Sequence, residues 1–167
     1  MATQTVRELE AKAEAAWTNL TAQLAGMEPY LERSDAPGEW TAREVLSHLL
    51  EADDWKPAAV LANFAERDLP TIEIAPGETY LTPKRRAMTL KQFVDALDAQ
   101  RRDVFAYLNA LTDKDLTRKA RIPLFKSFMG TDEIPLPTFV GAMFDYHMND
   151  HAGQIAKIRK AVGLPGV

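Results

Sequence analysis

The sequence contains no cysteine among its 167 residues. This absence excludes disulfide bonds, thiolate metal ligands and a cysteine nucleophile together. No apolar run approaches the ~18 residues that a membrane-spanning helix needs, and the first residues lack the apolar core of a signal peptide. We therefore expect a protein without membrane spans and, by default, a cytoplasmic one.

The sequence also has no large excess of charge of one sign. It contains 20 basic and 24 acidic residues, and the net charge is -4. The basic residues are scattered, and no block is long enough to follow a phosphate backbone, so we expect no nucleic-acid partner. The hydrophobic content of 46% is typical of soluble globular proteins. The length suits one domain with one sizeable core, and we predict a single domain over residues 1–167.

The first half of the chain carries two segments with apolar residues at helical spacing. The first spans residues 5–27 and ends where Gly26 and Pro29 follow. The second begins at Thr41, because Thr41 and Glu44 have the spacing of a capping box. Pro57 lies inside this second pattern and should kink or restart the helix, which we expect to reach about residue 66.

The second half carries two more helical segments. A second capping box, Thr89 with Gln92, predicts a third helix that ends near residue 110. The fourth begins near Pro137 and stops at Gly163. Residues 67–88 and 112–136 show no clear period, and no segment has a convincing strand pattern. The sequence therefore predicts an all-α four-helix bundle with a long crossover loop between its second and third helices.

Histidine is scarce, and the three that exist form one constellation. His147 and His151 are four residues apart, so they lie on the same face of the fourth helix. His48 follows apolar residues on the second helix. If the chain brings His48 to the pair, three imidazoles would suit zinc, nickel, copper or iron with one position left open. The alternative is that each is a hydrogen-bonded core histidine, since the pair lacks the glutamate of the H-E-x-x-H pattern.

Several side chains lie within reach of these histidines along the sequence. Metal-bound imidazoles usually donate their other N–H to a carboxylate or carbonyl. Candidates for that contact, or for plain capping and solvent-facing roles, are Glu44, Glu51, Asp150 and Gln154. Trp40, Trp55 and Tyr146 either line a pocket or belong to the core. Phe125, Phe128 and Met129 either cover the bundle end as a flap or line the mouth of a pocket.

Two stretches of this sequence resemble the DinB/YfiT-like family of four-helix-bundle metalloproteins. They are GEWTAREVLSHLLEADDW around His48 and DYHMNDHAGQIAKIRKAVGLP around the pair, and their order and separation match as well. The resemblance covers essentially the whole chain. It implies that His48, His147 and His151 bind a divalent metal, commonly zinc or nickel, at one end of the bundle. It also implies a cytoplasmic protein and frequently a homodimer.

The resemblance leaves three functions open. Some relatives are transferases or isomerases that use mycothiol, bacillithiol or glutathione, and from them we expect a metal-dependent thiol S-transferase acting on a small-molecule substrate. Others look like metal-dependent hydrolases, and a non-catalytic metal-binding stress-response protein is the third reading. An anionic thiol would favour nearby positive charge, which Arg118, Lys119, Arg121 and Lys126 are candidates to supply unless they face solvent. Lys84, Arg85 and Arg86 are either a solvated loop end or an anion site.

Overall fold

The computed structural model describes residues 2–167, and its helices follow the four predicted segments. The α-helices of the described residues are α1 Gln4–Leu24, α2 Ala42–Leu50, α3 Pro57–Ala62, α4 Pro83–Arg86, α5 Leu90–Leu108, α6 Lys126–Met129, α7 Leu136–Gly141 and α8 His147–Ala161. A π-helical turn, Ala142–Tyr146, joins α7 to α8 without a break. Two strands, β1 Lys119–Arg121 and β2 Glu133–Pro135, complete the regular structure together with short 3-10 turns.

The predicted helix starts in the middle of the chain are confirmed, because both capping boxes form. At the start of α2 the Thr41 hydroxyl accepts from the Glu44 N–H, while the Glu44 carboxylate accepts from the Thr41 N–H. Thr89 and Gln92 make the same reciprocal pair at the start of α5. These bonds satisfy N–H groups that have no partner inside a helix.

The helix ends differ from the prediction by a few residues. α1 stops at Leu24, because the chain turns at Gly26, whose φ is +76°. Of the two effects predicted for Pro57, the restart is the one observed: α2 ends at Leu50, and Pro57 occupies the first turn of α3, where its missing N–H costs nothing. α3 then ends at Ala62, four residues before the predicted end.

The long helices pack as the predicted all-α four-helix bundle. α1 lies against α8 and the π-helical turn, and α2 contacts α5 and α8. Two buried apolar clusters fill the interior, one including Phe139 and Phe144 and the other including Met148 and Leu46. Among residues 2–167, no helix is both long enough and apolar enough to cross a membrane.

The expectation of no strands is wrong for the segment before the fourth helix. β1 and β2 pair antiparallel, with Ala120 opposite Ile134. Both of these side chains are fully buried, while their neighbours on either side are more exposed. Three residues per strand are too few for an alternating pattern to be recognised in the sequence. The outer edge of β1 bonds to Ala65 and Pro70 of the crossover loop, so the small sheet fastens that loop to the bundle.

The basic cluster at the end of the crossover loop is not uniformly solvated. Lys84 and Arg86 are exposed, but Arg85 is buried within the protein. Its guanidinium donates to the Ser47 and Tyr80 carbonyls and pairs with Asp53 at 2.9 Å. A buried guanidinium needs such partners, so Arg85 ties the loop to α2 rather than serving a free anion.

Candidate metal centre

α2 and α8 together present the three histidines. His48 lies in the last turn of α2, and His147 is the first residue of α8. The His147 N–H bonds to the carbonyl of Ala142, five residues earlier, which is the hydrogen bond of a π-helical turn. Such turns insert an extra residue into a helix and are frequent at functional sites. His151 follows one α-helical turn later, on the same face as His147.

The three imidazole rings converge on one point. The Nε2 atom of His147 lies 2.9 Å from Nε2 of His48 and 3.0 Å from Nε2 of His151. The ring centroids of the three pairs are 4.6 to 4.9 Å apart. The structure thus brings together all the histidines that the sequence singled out. Their role as metal ligands stays a prediction.

Hydrogen bonds on the outer nitrogens fix the tautomers of two of these histidines. His48 Nδ1 donates to the Glu78 carbonyl at 2.6 Å, and His151 Nδ1 donates to Gln154 Oε1 at 2.9 Å. A neutral imidazole has a single N–H. Because that N–H is on Nδ1 in both rings, their Nε2 atoms carry lone pairs that point at the centre of the group. This is the arrangement that metal-ligating histidines usually have.

Burial keeps all three imidazoles neutral. Desolvation lowers the pKa of His48 and of His151, and it lowers the pKa of His147 to about 3 with further help from the two neighbouring rings. At neutral pH the site therefore offers unprotonated nitrogens. With its own proton on Nδ1, His147 would present a third lone pair, and a shared cation could accept all three. The donor set therefore fits a divalent metal ion.

The remaining side of the histidine group faces a cavity of about 330 Å³, which we call the histidine cavity. No carboxylate or thiol joins the group as a fourth potential ligand among the described residues. The Trp40 indole stacks against the His151 ring at 6.2 Å and also contacts His48. The cavity is lined by Trp40, His48, Glu51, Ile74, Ala75, Pro76, Gly77, Leu124, Phe125, Phe128, Ala142, Met143, Tyr146, His147 and His151.

Glu51 is the one acidic side chain in this lining, and its backbone is unusual. Its φ of 60° and ψ of −166° belong to a region that only glycine adopts easily, at a cost of about 1–3 kcal/mol for other residues. Its side chain is buried, which raises the pKa of the carboxyl to about 7 despite a hydrogen bond from the Tyr80 hydroxyl. Tyr80 itself has a positive φ of 52°. Two residues with positive φ thus lie next to each other, and Glu51 is the one that lines the cavity.

A sequence profile of the DinB superfamily matches residues 5–155, a range that includes all three histidines. The chain belongs to the DinB superfamily. No curated protein matches the sequence itself.

Two solved structures share the fold of this DinB chain. One is YfiT from Bacillus subtilis, described as a probable metal-dependent hydrolase with an unusual four-helix bundle topology; its TM-score is 0.74 at 17% identity, over 99% of this chain and 91% of YfiT. The other is a mycothiol-dependent maleylpyruvate isomerase, with a TM-score of 0.58 at 11% identity over 94% of this chain. The DinB chain spans only 65% of the isomerase. At these identities the likeness establishes the fold.

The structure decides between the alternative roles of the residues near the histidines. Gln154 contacts a ligand candidate, whereas Glu44 caps α2 and Asp150 is exposed. Trp40 and Tyr146 line the histidine cavity, but Trp55 lines a different depression beside Arg85.

Three residues were predicted either to cover the bundle end as a flap or to line the mouth of a pocket, and the structure does not place all of them in the same role. Phe125 is buried in the core and also lines the cavity, and the exposed Phe128 lines it too. Met129 is exposed and is absent from the lining.

Of the two roles left open for the basic candidates, supplying positive charge to the cavity is not the one that the structure shows. None of the basic candidates lines it: Lys119 and Arg121 belong to a separate polar groove, Arg118 bonds to Asp115, and Lys126 is exposed. The small sheet directs Lys119 and Arg121 away, because β1 buries Ala120 and turns its two neighbours outward.

Sequence reasoning missed two partners that come from the crossover loop. The Glu78 carbonyl orients His48, but a backbone group leaves no signature in residue type. Tyr80 bonds Glu51 from a loop without any periodic pattern. Glu51 itself was among the candidates because it lies within one turn of His48.

Replacing Glu51 by glutamine should stabilise the metal-free protein at alkaline pH. The carboxyl pKa is about 7 in the folded protein against 4.5 for the free side chain. The unfolded chain therefore loses its proton first, and wild-type stability falls as the pH rises from about 4.5 to 7. Glu51→Gln lacks this loss, so we expect it to be more stable by about 1–2 kcal/mol at pH 8 and unchanged at pH 4. Urea unfolding at both pH values measures this.

The control for this pH effect is Glu39→Gln, because Glu39 is exposed. It should change the free energy of unfolding by less than about 0.5 kcal/mol at either pH. Equal effects of Glu51→Gln at pH 4 and pH 8 would contradict the burial of an ionisable carboxyl.

Proposed function

We propose that this DinB protein is a metal-dependent enzyme of the thiol S-transferase type, acting on a small molecule with mycothiol, bacillithiol or glutathione as co-substrate. In this proposal His48, His147 and His151 hold a divalent ion, zinc or nickel. The observation that carries it is the convergence of the three Nε2 atoms at the wall of an apolar cavity. Neutral imidazoles suit zinc and nickel, whereas magnesium and calcium prefer more oxygen ligands.

The chemistry of the lining supports a nucleophile that comes from outside the chain. The protein has no cysteine, and its three histidines are all used as ligands. An ion in this position would lower the pKa of a bound thiol and so supply a thiolate at neutral pH. The aromatic walls, Trp40 and Phe125 among them, exclude water from the reacting groups and strengthen electrostatic interactions there. The mycothiol dependence of one fold neighbour is consistent with this chemistry.

Hydrolysis is the second candidate, and Glu51 is the observation that favours it. A buried carboxyl whose pKa is about 7 has the right affinity to accept a proton from an attacking water near neutral pH. The description of YfiT as a probable metal-dependent hydrolase points the same way. A non-catalytic metal-binding role is the third candidate, but a purely structural ion would be expected to have a fourth protein ligand.

Thiol conjugation by the metal-loaded protein tests the proposal. We expect the reaction of monochlorobimane with one of the small thiols to be accelerated over the uncatalysed rate. The acceleration should disappear on chelation and in His151→Ala, because either change removes the site that activates the thiol. Asp150→Ala is the matched control, since Asp150 is exposed on the neighbouring position of α8 and should leave the rate unchanged. Initial rates from bimane fluorescence give the comparison.

Other outcomes separate the candidates. Metal-dependent hydrolysis of an ester or amide without acceleration of any thiol would replace transfer by hydrolysis. If the metal-loaded protein acts on none of the thiols, esters and amides, the non-catalytic role is the remaining candidate. The homodimer and the cytoplasmic location implied by the family resemblance stay predictions, and light scattering tests the first.

A further inference from the structure

The histidine cavity has exposed aromatic side chains at its mouth. Phe128 is 64% exposed and Tyr146 is 76% exposed, which makes them two of the four large hydrophobic side chains that the described residues leave in solvent. Both line the cavity, Phe128 from α6 and Tyr146 from the π-helical turn. Exposed apolar surface that rims a concave site is typical of a ligand-binding site. A ligand with flat apolar faces would cover these rings.

The charged side chains in the lining disfavour an anionic group beside Glu51. No lysine or arginine lines the cavity, and Glu51 supplies its one carboxyl group. The Arg85 guanidinium is near enough to lower the pKa of Glu51, but it lies outside the lining and is paired with Asp53. An anionic group placed next to Glu51 would therefore be desolvated without a free cationic side chain to pair with it. The ring-shaped, apolar part of the ligand should therefore be uncharged.

Glu51 nevertheless gives the cavity its one carboxyl group, beside the three imidazoles that also line it. The Tyr80 hydroxyl occupies one site on the carboxyl, and a carboxyl group has a second oxygen. The strained backbone at Glu51 is fixed by the Glu51 N–H bond to the His48 carbonyl at 2.9 Å. A polar group that is held in place in an apolar pocket determines the orientation of a ligand and contributes less to its affinity.

We propose that the histidine cavity binds a neutral, ring-containing apolar molecule whose single N–H or O–H group hydrogen-bonds to Glu51, with its ring against Tyr146 and Phe128. The cavity volume of about 330 Å³ is sufficient for two fused rings, since a cavity of roughly 150 Å³ holds benzene. This inference rests on the proposed function, for which it names the substrate class. Glu51 acts as a specificity-determining residue in it.

The test uses three naphthalenes of similar size and the chelated protein, so that no ion contributes to binding. Isothermal titration calorimetry at pH 7 compares 2-naphthol, 2-methoxynaphthalene and 2-naphthoate. We expect 2-naphthol to bind roughly fivefold to tenfold more tightly than 2-methoxynaphthalene, because only the hydroxyl can donate to Glu51. We expect 2-naphthoate to bind at least about tenfold more weakly than 2-naphthol, because its charge has no partner.

Variants separate the ring contact from the hydrogen bond. Phe128→Ala and Tyr146→Ala should each weaken both neutral ligands by roughly fivefold and leave the ratio of their affinities unchanged. Glu51→Leu should bring that ratio close to one, whereas Glu51→Gln, which keeps a carbonyl acceptor, should preserve it. Met129→Ala is the matched control for the rim, since Met129 is exposed beside Phe128 but does not line the cavity.

Three results would overturn the inference: no binding of any naphthalene, 2-naphthoate binding as tightly as 2-naphthol, or Glu51→Leu keeping the wild-type ratio. Zinc titration of the same preparations keeps this test separate from the proposed function. Failure of naphthol binding with normal zinc binding would refute only the substrate class. Failure of zinc binding with normal naphthol binding would refute only the metal-dependent enzyme.

Discussion

His147→Ala is expected to weaken the binding of zinc by at least about a hundredfold. Loss of an outer contact already costs 10-fold to 100-fold in metal affinity, and a direct ligand contributes more. His147 has the central position, because its Nε2 atom is 3.0 Å or less from those of both other histidines. Competition with a chromophoric chelator measures the affinity, and elemental analysis should give about one ion per wild-type chain.

Two other variants on α8 calibrate this loss. Gln154→Ala removes the acceptor for His151 Nδ1 and should weaken zinc by roughly tenfold. Asp150→Ala should bind zinc as the wild type does, because Asp150 is exposed. Wild-type affinity in His147→Ala would show that the three histidines are not the site.

Phe139→Ala is expected to lower the free energy of unfolding by about 3–5 kcal/mol. Phe139 on α7 is 2% exposed, and its ring packs against those of Phe64 and Phe125 at 5.6 and 6.1 Å between centroids. Truncation removes this buried surface and leaves an empty space between α7, Phe64 and Phe125. Urea unfolding of the chelated protein measures the loss, and thermal unfolding should give a melting temperature about 10 °C lower.

Phe128→Ala is the matched control for this packing prediction. The residue type is the same, but Phe128 is 64% exposed, and its truncation should change the free energy of unfolding by less than about 0.5 kcal/mol. Equal effects of the two substitutions would place Phe139 outside the core.

The three histidines are held in position by the two apolar clusters of the core. Phe144 in the π-helical turn belongs to one cluster, and Met148 in α8 belongs to the other. His147 lies between them in sequence, so both clusters fix the helix that carries the pair. The proposed enzyme therefore does not need an ion to position its histidines.

The sequence by itself determined the parts of this protein that depend on local interactions. The two capping boxes placed the starts of α2 and α5, because a threonine and a glutamate or glutamine three residues later satisfy each other's backbone groups wherever they occur. Helical spacing placed His147 and His151 on one face. Apolar periodicity predicted the bundle, since each amphipathic helix must bury one face.

Only the tertiary structure decided which distant groups meet at the centre. The Glu78 carbonyl and Tyr80 reach the site because β1 and Arg85 fasten the crossover loop, and neither bond is periodic along the chain. The backbone of Glu51 adopts a conformation that no local preference favours, so only the surrounding contacts can hold it there. Lys119 and Arg121 of β1 are absent from the cavity because pairing with β2 sets which way each side chain points.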